Sequence, residues 1–173
     1  MTNNVQYDGS ATPKIDSISP RYGTVTGGTT VTLTGSGFGS SAADVSVIID
    51  GVACAVSAAT NTQITCATGP RPNTPPPSMT VSINGVGNVA LQGNTFTYVS
   101  AWSESSTWGG DFAPIEGDSI HVPTGKHLLV DIDSAPLLKA VIVEGSLIFQ
   151  PHLTDPTHHR TFDAHYIFVR NGR

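Results

Sequence analysis

The chain has 173 residues, room for two small domains, and its 38% hydrophobic content is broken up by 18 Gly and 12 Pro, which excludes a helical bundle and favours strands joined by turns. A formal net charge of −5 with 8 Lys+Arg, none clustered, lacks the phosphate-neutralising footprint of a nucleic-acid binder, so the expected partners are protein or glycan. No apolar run approaches the ~20 residues that span a bilayer, and Met1 to Gly9 is polar where a signal peptide needs an apolar core, so no membrane insertion is expected within the segment.

From Pro13 to Val99 the pattern is short strands of period two. Thr30–Thr34 puts Val31 and Leu33 on one face, and Val45–Ile49 puts Val45, Val47 and Ile49 on one face before the tight-turn pair Asp50-Gly51. Cys54 and Cys66 sit on the strand-like stretches Val52–Val56 and Gln63–Ala67, linked by the polar stretch Ser57–Thr62. Neighbouring strands would bring the two within bridging distance; a disulfide and a pair of buried thiols both remain open at this level. Gly69 to Pro77 carries five prolines and cannot supply a central ladder strand, so it reads as an extended surface loop, either a crossover or a recognition segment. Met79, Val81 and Ile83 then alternate with Thr80 and Ser82, and Phe96 and Tyr98 with Thr95 and Thr97. Such strands, punctuated by Gly and Pro, predict an antiparallel sandwich.

The character changes at Ala101. Trp102, Trp108, Gly109-Gly110 and the acidic residues Asp111, Glu116 and Asp118 precede short apolar strands at Ser119–Val122, His127–Ile132, Ala140–Val143, Ser146–Phe149 and Tyr166–Val169. Strands this short and this apolar suggest burial from more than one side, as in stacked parallel coils rather than an open hairpin sheet.

Five carboxylates, Asp111, Glu116, Asp118, Asp131 and Asp133, are the candidates for acid–base work, but Asp at strand ends more often closes turns onto backbone, the role expected of Asp118 and Asp131. His152, His158, His159 and His165 gather near Asp155 and Asp163; a polar loop is favoured over a metal site, since adjacent histidines on an extended segment point to opposite sides. No nucleophile elbow is present. No catalytic residue, metal or cofactor is therefore assigned. Trp102 and Trp108 are the candidate glycan or partner contacts, set against a sealing role for the first coil.

The run Pro13-Lys14-Ile15-Asp16-Ser17-Ile18-Ser19-Pro20-x-x-Gly23, followed by Gly27-Gly28-Thr29-x-Val31-x-Leu33-x-Gly35-x-Gly37-Phe38, Val47-x-Ile49-x-Gly51-x-x-Cys54, Ile64-x-Cys66 and Phe96-x-Tyr98, resembles the IPT/TIG domain. Its glycines are expected at turns of positive φ or at close backbone approaches. The resemblance implies an immunoglobulin-like sandwich and a Cys54–Cys66 disulfide, hence an extracellular or cell-surface setting. Trp102, Thr107-Trp108-Gly109-Gly110, Pro114-x-x-Gly117-Asp118-x-Ile120-x-Val122-Pro123-x-Gly125, Leu128-Leu129-x-Asp131 and Val141-x-Val143-x-Gly145-x-Leu147-x-Phe149 resemble the opening part of a G8 domain, and the order of the two resembles fibrocystin-like surface proteins, some of them ciliary.

The expected organisation is an N-terminal segment at 1–11, an IPT/TIG sandwich at 12–99 and the N-terminal part of a G8 domain at 100–173. The fold class is all-β, a sandwich followed by the start of a right-handed β-helix-like domain. The expected function is a non-enzymatic structural or adhesive module, acting as spacer and interaction unit and continued by further coils beyond Tyr166–Val169. The alternative is a piece of a hyaluronan- or polysaccharide-degrading surface enzyme whose catalytic groups lie elsewhere, because G8 domains also occur in such proteins.

Overall fold

The computed structural model describes residues 12–71, 78–149 and 160–170. It is all-β and divides into two compact units, Met1–Thr97 and Tyr98–Arg173.

The first unit contains β1 (Lys14–Ser19), β2 (Tyr22–Thr24), β3 (Thr30–Ser36), β4 (Val45–Ile49), β5 (Val52–Thr60), β6 (Gln63–Thr68), β7 (Met79–Ile83) and β8 (Gly87–Asn88). Seven of these form an antiparallel sheet in the order β1-β3-β6-β5-β4-β7-β8. Alternation decides which side of each strand goes inside: Val31, Leu33, Val47, Ile49, Ile64, Val81 and Ile83 are buried, while Thr30, Thr34, Ser46, Ile48 and Thr80 face water. This is an immunoglobulin-like sandwich, with Phe38 and Phe96 also buried.

The hairpin between β4 and β5 turns on Asp50 and Gly51, whose φ angles of 53° and 79° are the pair of positive values that a tight two-residue turn requires. Gly27, Gly28 and Gly37 also hold positive φ, and a Cβ on Gly35 would fall on the carbonyl oxygen of Lys14 in the paired strand. Ser57–Thr62 is not the polar loop its composition suggests. β5 runs on to Thr60, a register shift between Val56 and Ala58 absorbs Ser57, and only Asn61-Thr62 remain as the turn. A bulge changes which face each later residue occupies, so the period-two signal fades where the strand in fact continues. Of the proline-rich segment, residues 72–77 lie outside the described residues.

The second unit follows a different rule. Its strands are β9 (Thr97–Ala101), β10 (Ser119–Val122), β11 (His127–Val130), β12 (Leu138–Val143), β13 (Ser146–Phe149) and β14 (Ala164–Val169). Odd-numbered strands pair in parallel as β9-β11-β13, and even-numbered strands in parallel as β10-β12-β14. The chain thus crosses from one sheet to the other and back, laying each new pair of strands beside the last. A further parallel bridge, Ser134 beside Thr161, stacks the intervening turns in the same way. The core between the sheets holds Trp102, Ile120, Val122, Leu128, Val130, Ala135, Leu138, Val141 and Val143. Burial on both faces, expected from the apolar runs, holds for Leu128 to Val130 of β11. β10 and β12 instead alternate, turning His121 and Ile142 outward.

Candidate functional site

In the first unit two covalent or ionic supports stand out. Cys54 and Cys66 form a disulfide with a Cα–Cα distance of 5.5 Å. They are diagonal rather than directly opposed on the β5–β6 ladder, where Cys54 faces Thr68 and Cys66 faces Val56, and both are buried. The bridge closes a 12-residue separation, so replacing both cysteines by Ala is expected to cost about 3 kcal/mol, read as a lower urea midpoint with an unchanged far-ultraviolet spectrum.

Asp50 does more than turn the chain. Its Oδ2 lies 3.1 Å from Arg71 Nη2, with side chains 2% and 6% exposed respectively, and its Oδ1 accepts the Ser78 backbone N–H at 2.6 Å. The Asp50 N–H in turn donates to the Ser78 carbonyl, and Arg71 N–H to that of Val25. One carboxylate therefore clasps both flanks of the segment 72–77.

In the second unit Asp118 and Asp131 act on backbone. Asp118 Oδ2 accepts the Ile115 N–H at 2.9 Å. Asp131 accepts the Ser103 N–H at 3.0 Å through Oδ1 and the Ser103 hydroxyl through Oδ2, tying the end of β9 to the end of β11. These are the turn-closing roles expected of the two aspartates. Arg160 donates to the Val130 and Ile132 carbonyls and lies 3.9 Å from Asp133, pinning the approach to β14. His152, His158 and His159 fall outside the described residues; His165 lies on β14. His121 meets Glu144 at 3.1 Å on the outer side of the β10–β12 pair.

Trp102, considered from the sequence as a contact residue or a seal of the first coil, is 2% exposed and belongs to the core. Trp108 packs edge-to-face on it at 5.1 Å and donates Nε1–H to the Trp102 carbonyl. Phe162 meets Trp102 at 6.0 Å and Phe149 at 5.4 Å, completing a run of aromatic rings from the first pair of strands to the third.

The open feature of this unit is β14. In-register pairing makes two inner rows, Ile120–Val141–Ile167 and Val122–Val143–Val169. The first two members of each row are at most 5% exposed, whereas Ile167 and Val169 are 54% and 59% exposed. Tyr166 and Phe168, on the opposite face of the strand, are also more than half exposed and stack on each other at 6.2 Å.

The family comparisons divide the chain between two domains. Residues 13–98 match the IPT/TIG domain and residues 107–173 the G8 domain. The chain is an IPT/TIG domain joined to G8 sequence. Human Fibrocystin-L is 38% identical over 144 residues, which is 83% of this chain and 3% of the relative, and mouse Fibrocystin is 30% identical over 127 residues, 73% of this chain and again 3% of the relative. The chain thus spans a small fraction of the length of the curated relatives it matches. Among solved structures, the extracellular region of plexin A4 aligns over 50% of this chain and 7% of that one, at 24% identity and a TM-score of 0.44. The IPT/TIG–G8 pairing and the formed disulfide mark an extracellular or cell-surface protein.

The clasp of Asp50 on Arg71 escaped sequence reasoning, because two opposite charges 21 positions apart in polar stretches carry no periodic signal. The open apolar strand at Tyr166–Val169, by contrast, reads from the sequence as an edge to be continued.

Proposed function

We propose that this IPT/TIG–G8 pair is a non-enzymatic structural or adhesive module, and that its G8 half is the opening of a right-handed β-helix-like domain whose next layer of β-structure sits on β14. The observation that carries this reading is the change along the two inner rows, buried at β10 and β12 and open at β14. An apolar row exposed at a sheet edge is a surface for continued stacking rather than a finished boundary. Asp118 and Asp131 are spent on turns, which weakens the case for a carboxylate pair in this segment. Only Ser100-Ala101 separate Tyr98-Val99 from Trp102, and no Gly/Ser tract intervenes, which supports a short-linked spacer.

Two measurements test the reading. Incubation of high-molecular-weight hyaluronan with a longer polypeptide that carries this pair together with the regions that follow it in its relatives is expected to leave the polymer length unchanged; shortening of the polymer would favour the enzyme alternative. Small-angle scattering is expected to fit a narrow set of arrangements of the two halves, and a broad distribution of angles would remove the spacer role.

A further inference from the structure

The loop between the 3-10 turn at Ser105–Trp108 and β10 places its aromatic residue where nothing in its own unit needs it. Phe112 is 95% exposed and Ile115, three residues on, is 67% exposed. The loop is nevertheless held at both ends. Gly110 N–H donates to the Ser105 carbonyl at 2.9 Å, Asp111 N–H to Trp108 at 3.3 Å, Asp118 N–H to Ile115 at 3.2 Å and Gly117 N–H to Leu137 at 2.9 Å. Ala113, next to Phe112, packs on the core. The last of these bonds brings in Leu137, itself 39% exposed. A Phe presented by a pinned backbone loses little conformational freedom when it enters a pocket, the property expected of a binding anchor.

The surroundings specify the partner. Between Glu104 and Ser119 the chain carries Glu104, Asp111, Glu116 and Asp118 and no Lys, Arg or His. The base brought nearest by backbone pairing is Lys139, whose N–H meets the Asp118 carbonyl at 2.7 Å. Asp111, Glu116 and Asp118 are exposed. We propose that this loop is a docking element for a protein partner that offers an apolar pocket to Phe112 and Ile115 and a Lys/Arg rim to the surrounding carboxylates. The surface is separate from the open edge at β14, so the two proposals stand or fall independently.

The test uses a random 12-residue peptide library displayed on phage and selected on the immobilised chain, followed by affinities of the winning peptides for the parent chain, Phe112→Ala, Ile115→Ala and Asp111→Asn/Glu116→Gln. Because Phe112 lies almost wholly in water, its replacement is expected to leave the melting temperature unchanged. Winners are expected to combine apolar residues with Lys or Arg, to bind Phe112→Ala at least about tenfold more weakly, and to lose part of their salt dependence on the carboxamide variant. Winners that bind Phe112→Ala undiminished, or that carry no basic residues, would overturn the proposal. So would self-association of the parent chain that Phe112→Ala abolishes, which would make a second copy the occupant.

Discussion

Asp50→Asn is expected to lower the stability of the sandwich by about 3–5 kcal/mol, the cost typical of removing one partner from a buried ion pair. The substitution keeps the side-chain shape, and Asn is among the residues that tolerate the positive φ found at this position. What it removes is the carboxylate charge that faces the Arg71 guanidinium, in a site where both side chains are nearly sealed from solvent. Against a total of roughly 5–15 kcal/mol for a small domain, a loss of this size brings the unit close to its unfolding threshold. Asp16→Asn is the internal control. Its Lys14 partner is also 3.1 Å away, but both side chains are about half exposed, and an exposed pair contributes about 0–1 kcal/mol. Urea unfolding of the two variants should separate them clearly; equal midpoints would show that the clasp carries no more than an exposed pair.

Trp102→Ala is expected to cost the second unit about 3–5 kcal/mol through lost burial and the cavity left behind. The ring is in edge-to-face contact with Trp108 and Phe162, so its removal interrupts the aromatic run linking the first pair of strands to the third. Both tryptophans lie beyond Thr97, so tryptophan emission follows the second unit and leaves the first silent. The expected result is a red-shifted Trp108 emission in the variant at a urea concentration where the parent chain is still folded, with the Cys54–Cys66 unit keeping its own transition. A variant with parental emission and midpoint would show that Trp102 is not a core residue.

The strands were the most legible part of the sequence. Val45–Ile49, Ser119–Val122 and Ser146–Phe149 are found at their expected bounds because each is a short apolar stretch ended by an abrupt turn signal. The parallel pairing of the second half was legible on a different ground: short strands that are apolar on nearly every residue suggested burial from more than one side, as in stacked coils. Where a strand changed phase, as at Ser57, the pattern misled, because a single inserted residue moves the later side chains to the other face. The Asp50 clasp was half legible. Asp-Gly announces a tight turn, but nothing local says that the same carboxylate will reach Arg71 and Ser78. Trp102 shows the limit of composition, since an aromatic side chain suits a core and a binding platform equally well and only packing distinguishes them.

The claim most exposed to contradiction is that β14 is a surface made to be covered. Its two faces carry Tyr166, Ile167, Phe168 and Val169, all more than half exposed, on a strand paired on one side only among the described residues. Uncovered apolar edge strands associate. Sedimentation velocity over a concentration series, run beside Ile167→Lys/Phe168→Lys, is therefore the most direct measurement. The parent chain is expected to associate as its concentration rises while the double variant stays monomeric with the same unfolding midpoint. A parent chain that remains monomeric throughout the series would contradict the proposed covering of β14.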